Sequence, residues 1–171
     1  MSPVHLHLML NHVPLFGSVV SLLLLLVAIW RRSDDLKRVA FGMLVLSALL
    51  TLPVYFTGEP AEEAVGHLPG VVESAIDSHQ DAAKIAFASM LATGAVALSS
   101  FALFRRGRIV PNWFTTVALV MSLLIALLMA RTANLGGKVR HTELGAGNAT
   151  TVNAQEEEEH EKAHEEAHEK D

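Results

Sequence analysis

The chain has 171 residues, of which 51% are hydrophobic and 18% are charged, and its formal net charge is −5. The absence of cysteine excludes disulfides, iron–sulfur clusters and covalently attached c-type haem. Residues 13–30, 39–58, 85–104 and 109–130 contain no Asp, Glu, Lys or Arg. These stretches exclude an ordinary soluble core, because each has about the 20 helical residues that cross a bilayer.

The sequence predicts an all-α, integral membrane four-helix up-down bundle at residues 1–143, with spans at about 10–31, 37–58, 79–104 and 109–132. The connections at 31–38 and 105–108 are rich in Arg and Lys, whereas 59–81 has six acids and neither basic residue. Short loops rich in Lys and Arg stay in the cytoplasm. We therefore predict a multi-pass protein of the inner (cytoplasmic) membrane with its N and C termini periplasmic.

The first span is preceded by three histidines, His5, His7 and His12. No Lys or Arg precedes it and no small-residue cleavage pattern follows it, so we expect a retained helix rather than a signal peptide. Asn11 is expected to cap this helix, with Pro14 in its first turn. His12 shares a helical face with Leu8, Phe16 and Val19, and we expect that face to point into the bundle.

The second and third spans carry packing signals. Pro53 is expected to kink the second span, because its ring removes a backbone hydrogen bond. Membrane helices associate through small side chains. On the third span such residues recur at three- and four-residue spacing, and we expect this face to pack inside the bundle: Ala88, Ala92, Ala95 and Ser99.

His79 opens the third span and lies on an apolar stripe. At 100° per residue, the stripe contains Val72, Ile76, His79, Ala83, Ala86 and Met90. This position predicts that His79 points into the bundle, at the same depth as His12. A ligand role is open beside a structural role in which the imidazole is only hydrogen-bonded.

Two imidazoles on separate helices at one depth suit a b-type haem, whose iron takes an axial nitrogen from each side. His12 and His79 are the predicted pair. His7 lies about 140° from His12 around the helix, so one haem cannot take both. His7 with His141 forms a candidate second site, which gives one haem b or two. Arg131, Lys138 and Arg140 lie on the same side and are candidate partners of the propionates.

The stretches "HLMLNHVP" and "NLGGKVRH" resemble the His-x4-His-x-Pro opening and the Gly-Gly-x3-His ending of a bacterial family of four-helix membrane proteins of unknown function. His79 stands where that family often has a histidine opening helix three. The resemblance covers residues 5–143, and the family is regarded as b-type cytochrome-like. It implies His7, His12, His79 and His141 as haem ligands. The chain departs from the family pattern at three motif positions, Leu8, Val13 and Thr142, and Arg140 occupies a region where an aromatic residue is common.

The predicted function is a membrane-bound b-type haem protein that relays electrons at the periplasmic side, between quinol or a partner subunit and a periplasmic acceptor. No histidine lies in the inner half of any span, so a relay across the whole membrane is disfavoured. The expected partners are membrane lipids, other membrane or periplasmic redox subunits and a quinone, whose protons Asp77 or Asp81 would take. We expect an electron-transfer or accessory subunit rather than a stand-alone enzyme.

Two alternatives remain open from the sequence. The first is periplasmic-side handling of copper or zinc, by His5, His7 and Met9 or by the tail. The tail, residues 144–171, is acidic and predicted to be flexible or helical, and it carries His160, His164 and His168 on one helical face. The second is a cofactor-free accessory subunit of a respiratory membrane complex. Nothing in the sequence favours nucleic-acid binding or nucleophilic catalysis.

Overall fold

A computed structural model of the chain describes residues 3–66, 71–104 and 108–140. These residues form six helices joined by short connections, and none of them lies in a strand. The helices are α1 (Pro3–Leu10), α2 (Val13–Trp30), α3 (Asp34–Phe56), α4 (Gly58–Gly66), α5 (Glu73–Leu103) and α6 (Asn112–Arg140). The predicted all-α fold with four long apolar helices is confirmed.

The four long helices form a closed ring of neighbours. Helix α2 packs on α3, α3 on α5, α5 on α6, and α6 returns to α2, while the short helices α1 and α4 pack on each other at one end. That end carries His7 and His79 and is called the histidine end. The opposite end carries Arg31, Arg38 and Arg108 and is called the arginine end.

Among the described residues, four helical stretches are long and apolar enough to cross a membrane: Val4–Trp30, Asp34–Ala64, Glu73–Leu103 and Asn112–Val139. Each long helix also exposes leucine side chains away from the bundle. Examples are Leu23, Leu49, Leu98 and Leu127, with 55%, 58%, 57% and 60% of their surface exposed. Exposure of an apolar surface of this extent is unfavourable in water and favourable in lipid.

Glycines set the closest helix contacts in the bundle. A Cβ added at Gly17 of α2 would overlap the hydroxyl of Ser47 on α3, and one at Gly94 of α5 would overlap the Cβ of Ala48. Glycine is required at both positions because only its lack of a side chain lets the backbones approach so closely.

The predicted packing face of the third span is wrong. The alanines of that face, at positions 88, 92 and 95, are exposed, and Ser99 is only half-buried. The buried face of α5 instead contains Ala86, Met90, Gly94 and Ala97. Small residues occur on both faces of α5, so their spacing alone does not identify the packed face.

The arginine end is tied together by basic side chains. Buried Lys37 donates to the carbonyl of Val110 (2.9 Å) and forms an ion pair with Asp34 (2.8 Å). Arg38 donates to the carbonyls of Phe104 (2.9 Å) and Arg108 (3.0 Å). The two connections predicted as cytoplasmic loops are therefore fastened to each other at this end.

The connection after α3 contains a helix that was expected to be a loop. Helix α3 runs through Pro53 to Phe56, and α4 begins two residues later at Gly58, with Pro60 in its first turn. Proline suits that position because its missing N–H would have no partner in a first turn. Helix α4 carries Glu62 back over the histidine end, where it contacts α1, α3 and α5.

Candidate functional site

A two-residue break separates α1 from α2, and His12 lies in it. Helix α1 ends at Leu10 and α2 begins at Val13. The predicted face keeps its phase across the break but points outward, because Leu8, Phe16 and Val19 are exposed together with His12. His12 is exposed, with its Nδ1 hydrogen-bonded to the Asn11 side chain and its ring stacked near Phe16 at 6.4 Å between centroids. The prediction that His12 faces the bundle interior is wrong.

The start of α2 also differs from the expected cap. His12, rather than Asn11, occupies the N-cap position, and its side chain makes no capping hydrogen bond. Pro14 lies in the first turn of α2, as predicted. The Asn11 side chain is instead used by the His12 ring, so it is not available to the helix terminus.

His7 on α1 is the histidine of this segment that turns towards the other helices. Its Nδ1 donates to the backbone carbonyl of Val54 on α3 at 3.0 Å. The half-buried ring lies against Gly58, where an added Cβ would stand 3.5 Å from its Cε1. Because the carbonyl can only accept, Nδ1 carries the proton, and in the neutral ring Nε2 keeps its lone pair.

His79 on α5 is held in the same manner by α6. Its Nδ1 donates to the backbone carbonyl of Thr132 at 3.0 Å. The half-buried ring packs on Gly136, where an added Cβ would lie 3.0 Å from Cε1 and 3.2 Å from Nδ1. The inward direction predicted for His79 is confirmed, although Val72, at the start of the predicted stripe, is exposed.

His7 and His79 therefore form an anchored pair on separate helices. Both lie beside α4, since the His7 ring packs against Gly58 and Glu62 of the same helix bonds Gln80, the residue after His79. Each presents Nε2 as its unprotonated nitrogen, while a backbone carbonyl fixes the ring through Nδ1. Metal-ligating histidines almost always show this arrangement, in which the second nitrogen is held by a carbonyl or a carboxylate.

Two polar residues beside the pair were not predicted from the sequence. Gln80 Nε2 donates to Glu62 Oε2 at 2.6 Å, which joins α4 to α5. Glu62 therefore reaches the end of α5 that carries His79, the residue before Gln80. Two features of the sequence could have indicated these residues. Gln80 directly follows His79, and Pro60 marks the first turn of α4, the helix that brings Glu62 to the same end.

The sequence "NLGGKVRH" does not break the fourth helix. Gly136 and Gly137 lie inside α6, which continues to Arg140. At Gly136 the missing side chain makes room for the His79 ring, whereas a Cβ at Gly137 would meet no atom within 4 Å. The first glycine is thus part of the histidine site.

The other candidate residues lie at the surface, at a helix end or outside the described residues. Arg131 and Lys138 are exposed on α6 at the histidine end, and Arg140 is the last residue of that helix. His5 is exposed on α1, as is Met9 with 59% of its surface accessible. Asp77 and Asp81 are exposed on α5. The candidate histidines that lie outside the described residues are His141, His160, His164 and His168.

In the part of the chain that the structure describes, no group of three or more His, Asp or Glu side chains could hold a metal ion. The rings that carbonyls of other helices hold in this part of the chain are those of His7 and His79. A pair leaves the remaining positions of a bound metal to other ligands, as a porphyrin provides.

The fold and the site define an apolar four-helix bundle with two anchored, inward-facing histidines at one end. No protein-family model, no curated protein and no solved structure is significantly similar to the chain.

Proposed function

We propose that this protein is a membrane-bound b-type haem protein in which His7 and His79 would hold the haem. It relays electrons at the periplasmic side, between quinol or a partner subunit and a periplasmic acceptor. The observation that carries the proposal is the anchored pair: two imidazoles on different helices at one end of the bundle, both beside α4, each fixed at Nδ1 by a carbonyl at 3.0 Å.

The donor set fits haem better than a protein-built zinc or copper site. Structural zinc takes four protein ligands and catalytic zinc takes three. Bis-histidine haem takes only two protein nitrogens, because the porphyrin supplies the other four positions around iron. The described residues offer two anchored imidazoles and no larger ligand group. The copper and zinc alternatives therefore depend on His5, His7 and Met9 of α1 or on the histidines of the tail, residues 144–171.

The chain's own groups would position the ligands and the cofactor edge. The carbonyls of Val54 and Thr132 hold the two rings, and Gly58 and Gly136 leave space beside them. Exposed Arg131 is a candidate partner for a propionate, since it lies on α6 at the same end. When bound, haem supplies reversible one-electron exchange.

The periplasmic assignment rests on charge. Arg31, Arg32 and Arg108 are exposed at the arginine end, and short basic connections stay in the cytoplasm. The histidine end then faces the periplasm. Because no histidine occurs at the arginine end, a single-sided relay is proposed rather than a path across the bilayer.

The proposal is tested by reduced-minus-oxidised visible spectra of the purified protein, together with its haem-to-protein ratio. We expect a b-type α-band in the wild type, and loss of low-spin haem in His7→Ala and in His79→Ala. His12→Ala is the matched control, because the His12 side chain is exposed and its ring is hydrogen-bonded to the neighbouring Asn11 side chain.

Three outcomes would contradict the proposal. The wild type binds no haem, or binds it with the same spectrum after both substitutions, or loses it in His12→Ala and in His79→Ala but not in His7→Ala. In the last case the ligand pair inferred from the sequence, His12 with His79, replaces the pair proposed above. Copper or zinc at one equivalent without haem supports the metal-handling alternative, and co-purification of a respiratory complex without any cofactor supports the accessory subunit.

A further inference from the structure

We infer that Glu62 and Gln80, with the aromatic residues below them, bind the head group of a membrane quinol in its reduced form. The pair lies beside His79, at the boundary where α4 crosses the end of α5. The quinol's role as electron donor rests on the proposed function, whereas its binding can be measured without haem.

The polar part of this site has more hydrogen-bond acceptors than donors. Gln80 Nε2 donates to Glu62 Oε2, which engages one of the roughly four lone-pair sites of the carboxylate. The amide oxygen of Gln80 is a further acceptor, and the second N–H of the same amide is the one remaining donor of the pair. Both side chains are half-buried. A ligand that satisfies this pair must therefore bring O–H or N–H donors.

The apolar part of the site is an aromatic cluster on α3 and α5. Tyr55 and Phe87 stack at 4.1 Å between ring centroids with an interplanar angle of 14°. Phe56 meets Phe87 edge-on at 6.4 Å and is 69% exposed on the outside of the bundle. The cluster thus offers ring faces and edges that are open to lipid.

The two parts are aligned along one face of α5. Phe87 follows Gln80 by seven residues, which is within about 20° of two full turns and about 10 Å along the helix. Moving from the histidine end towards the middle of the bundle, a ligand meets the acceptors first, then the aromatic rings, then lipid. A dihydroxy aromatic head on an isoprenoid tail has its polar and apolar parts in the same order.

The charge of the site selects among amphiphiles. Glu59 and Glu63 are exposed on the same short helix as Glu62, so an anionic phospholipid head group is repelled. An oxidised quinone presents only carbonyl oxygens and cannot donate to a carboxylate. A quinol presents two O–H donors, and a hydrogen bond to an ionised acceptor is stronger than a neutral one. The site therefore favours the reduced form.

The test measures equilibrium binding of a decyl benzoquinol, and separately of its quinone, to haem-free protein in phosphatidylcholine nanodiscs under anaerobic conditions. Glu62→Gln keeps an acceptor for the Gln80 amide but removes the charge and one acceptor oxygen. Glu63→Gln on the same helix is the matched control, because Glu63 is exposed. Removing a hydrogen bond to a charged group predicts about 10-fold weaker quinol binding in Glu62→Gln.

We expect the wild type and Glu63→Gln to bind quinol equally and more tightly than quinone. The inference is overturned if quinol binding is not saturable, if quinone binds as tightly, or if the two variants behave alike. Its failure is distinguishable from failure of the haem proposal. If the protein binds no haem but its quinol binding requires Glu62, only the haem proposal is contradicted. If the protein binds haem but its quinol binding does not require Glu62, only this inference is contradicted.

Discussion

Replacing Gly136 with alanine is expected to disable the histidine site without unfolding the bundle. The new Cβ would stand 3.0 Å from His79 Cε1, whereas ordinary van der Waals contact begins at 3.4 Å, so the ring must move by about 0.4 Å. Gly136 lies one helical turn after Thr132, whose carbonyl accepts the His79 hydrogen bond at 3.0 Å. A lengthening of that size takes the bond beyond the usual 2.7–3.2 Å range.

The free energy of unfolding should change little. Alanine in place of glycine inside a helix stabilises by about 0.5–1 kcal/mol. Weakening one intramolecular hydrogen bond costs about 0.5–1.5 kcal/mol, so the two contributions nearly cancel. Haem affinity has no such compensation. Loss of the hydrogen bond that orients a metal-ligating histidine lowers metal affinity by about 10- to 100-fold.

The assay is titration of haem into haem-free protein in detergent, followed by the Soret band, with thermal unfolding measured in parallel. Gly137→Ala is the matched control, since a Cβ there meets nothing within 4 Å. We expect haem affinity to fall about 10- to 100-fold in Gly136→Ala and to stay unchanged in Gly137→Ala. Equal affinity in the two variants would refute the role given to the His79 ring position.

Two further predictions concern the bundle and its orientation. Gly94→Ala should lower the free energy of unfolding by about 1–3 kcal/mol, because the new Cβ would overlap Ala48. Gly42→Ala is the control and should leave it unchanged, because a Cβ there meets no atom within 4 Å. Denaturation in detergent compares the two variants, and equal stability would argue against the close α3–α5 contact. The chain has no cysteine, so Glu63→Cys should react with a membrane-impermeant maleimide in intact cells, while Arg31→Cys should react only after permeabilisation. The reverse labelling pattern would invert the proposed topology.

The number and location of the long helices were predictable because each apolar stretch is uninterrupted by charge over the length of a bilayer core. The orientation of His79 was also predictable, because a single helix carries it on one face with Ala86 and Met90, both buried. These properties depend on residues near one another in sequence.

Helical periodicity places His7 and His12 on different faces but does not tell which face points inward. The face of His12 is apolar, with Leu8, Phe16 and Val19, and it is exposed. An apolar face can contact either lipid or the bundle, so its composition does not decide its direction. His7, on another side of the segment, faces α3. The contribution of Gly136 depends on a contact with His79, 57 positions earlier in the chain, which no local pattern encodes.

The central claim is that His7 and His79 form one site, and electron paramagnetic resonance of the haem-loaded, oxidised protein tests it most directly. We predict a low-spin ferric signal of a bis-imidazole centre in the wild type, replaced by a high-spin signal or by no haem in each single alanine variant. A low-spin signal that survives in both His7→Ala and His79→Ala would contradict the account.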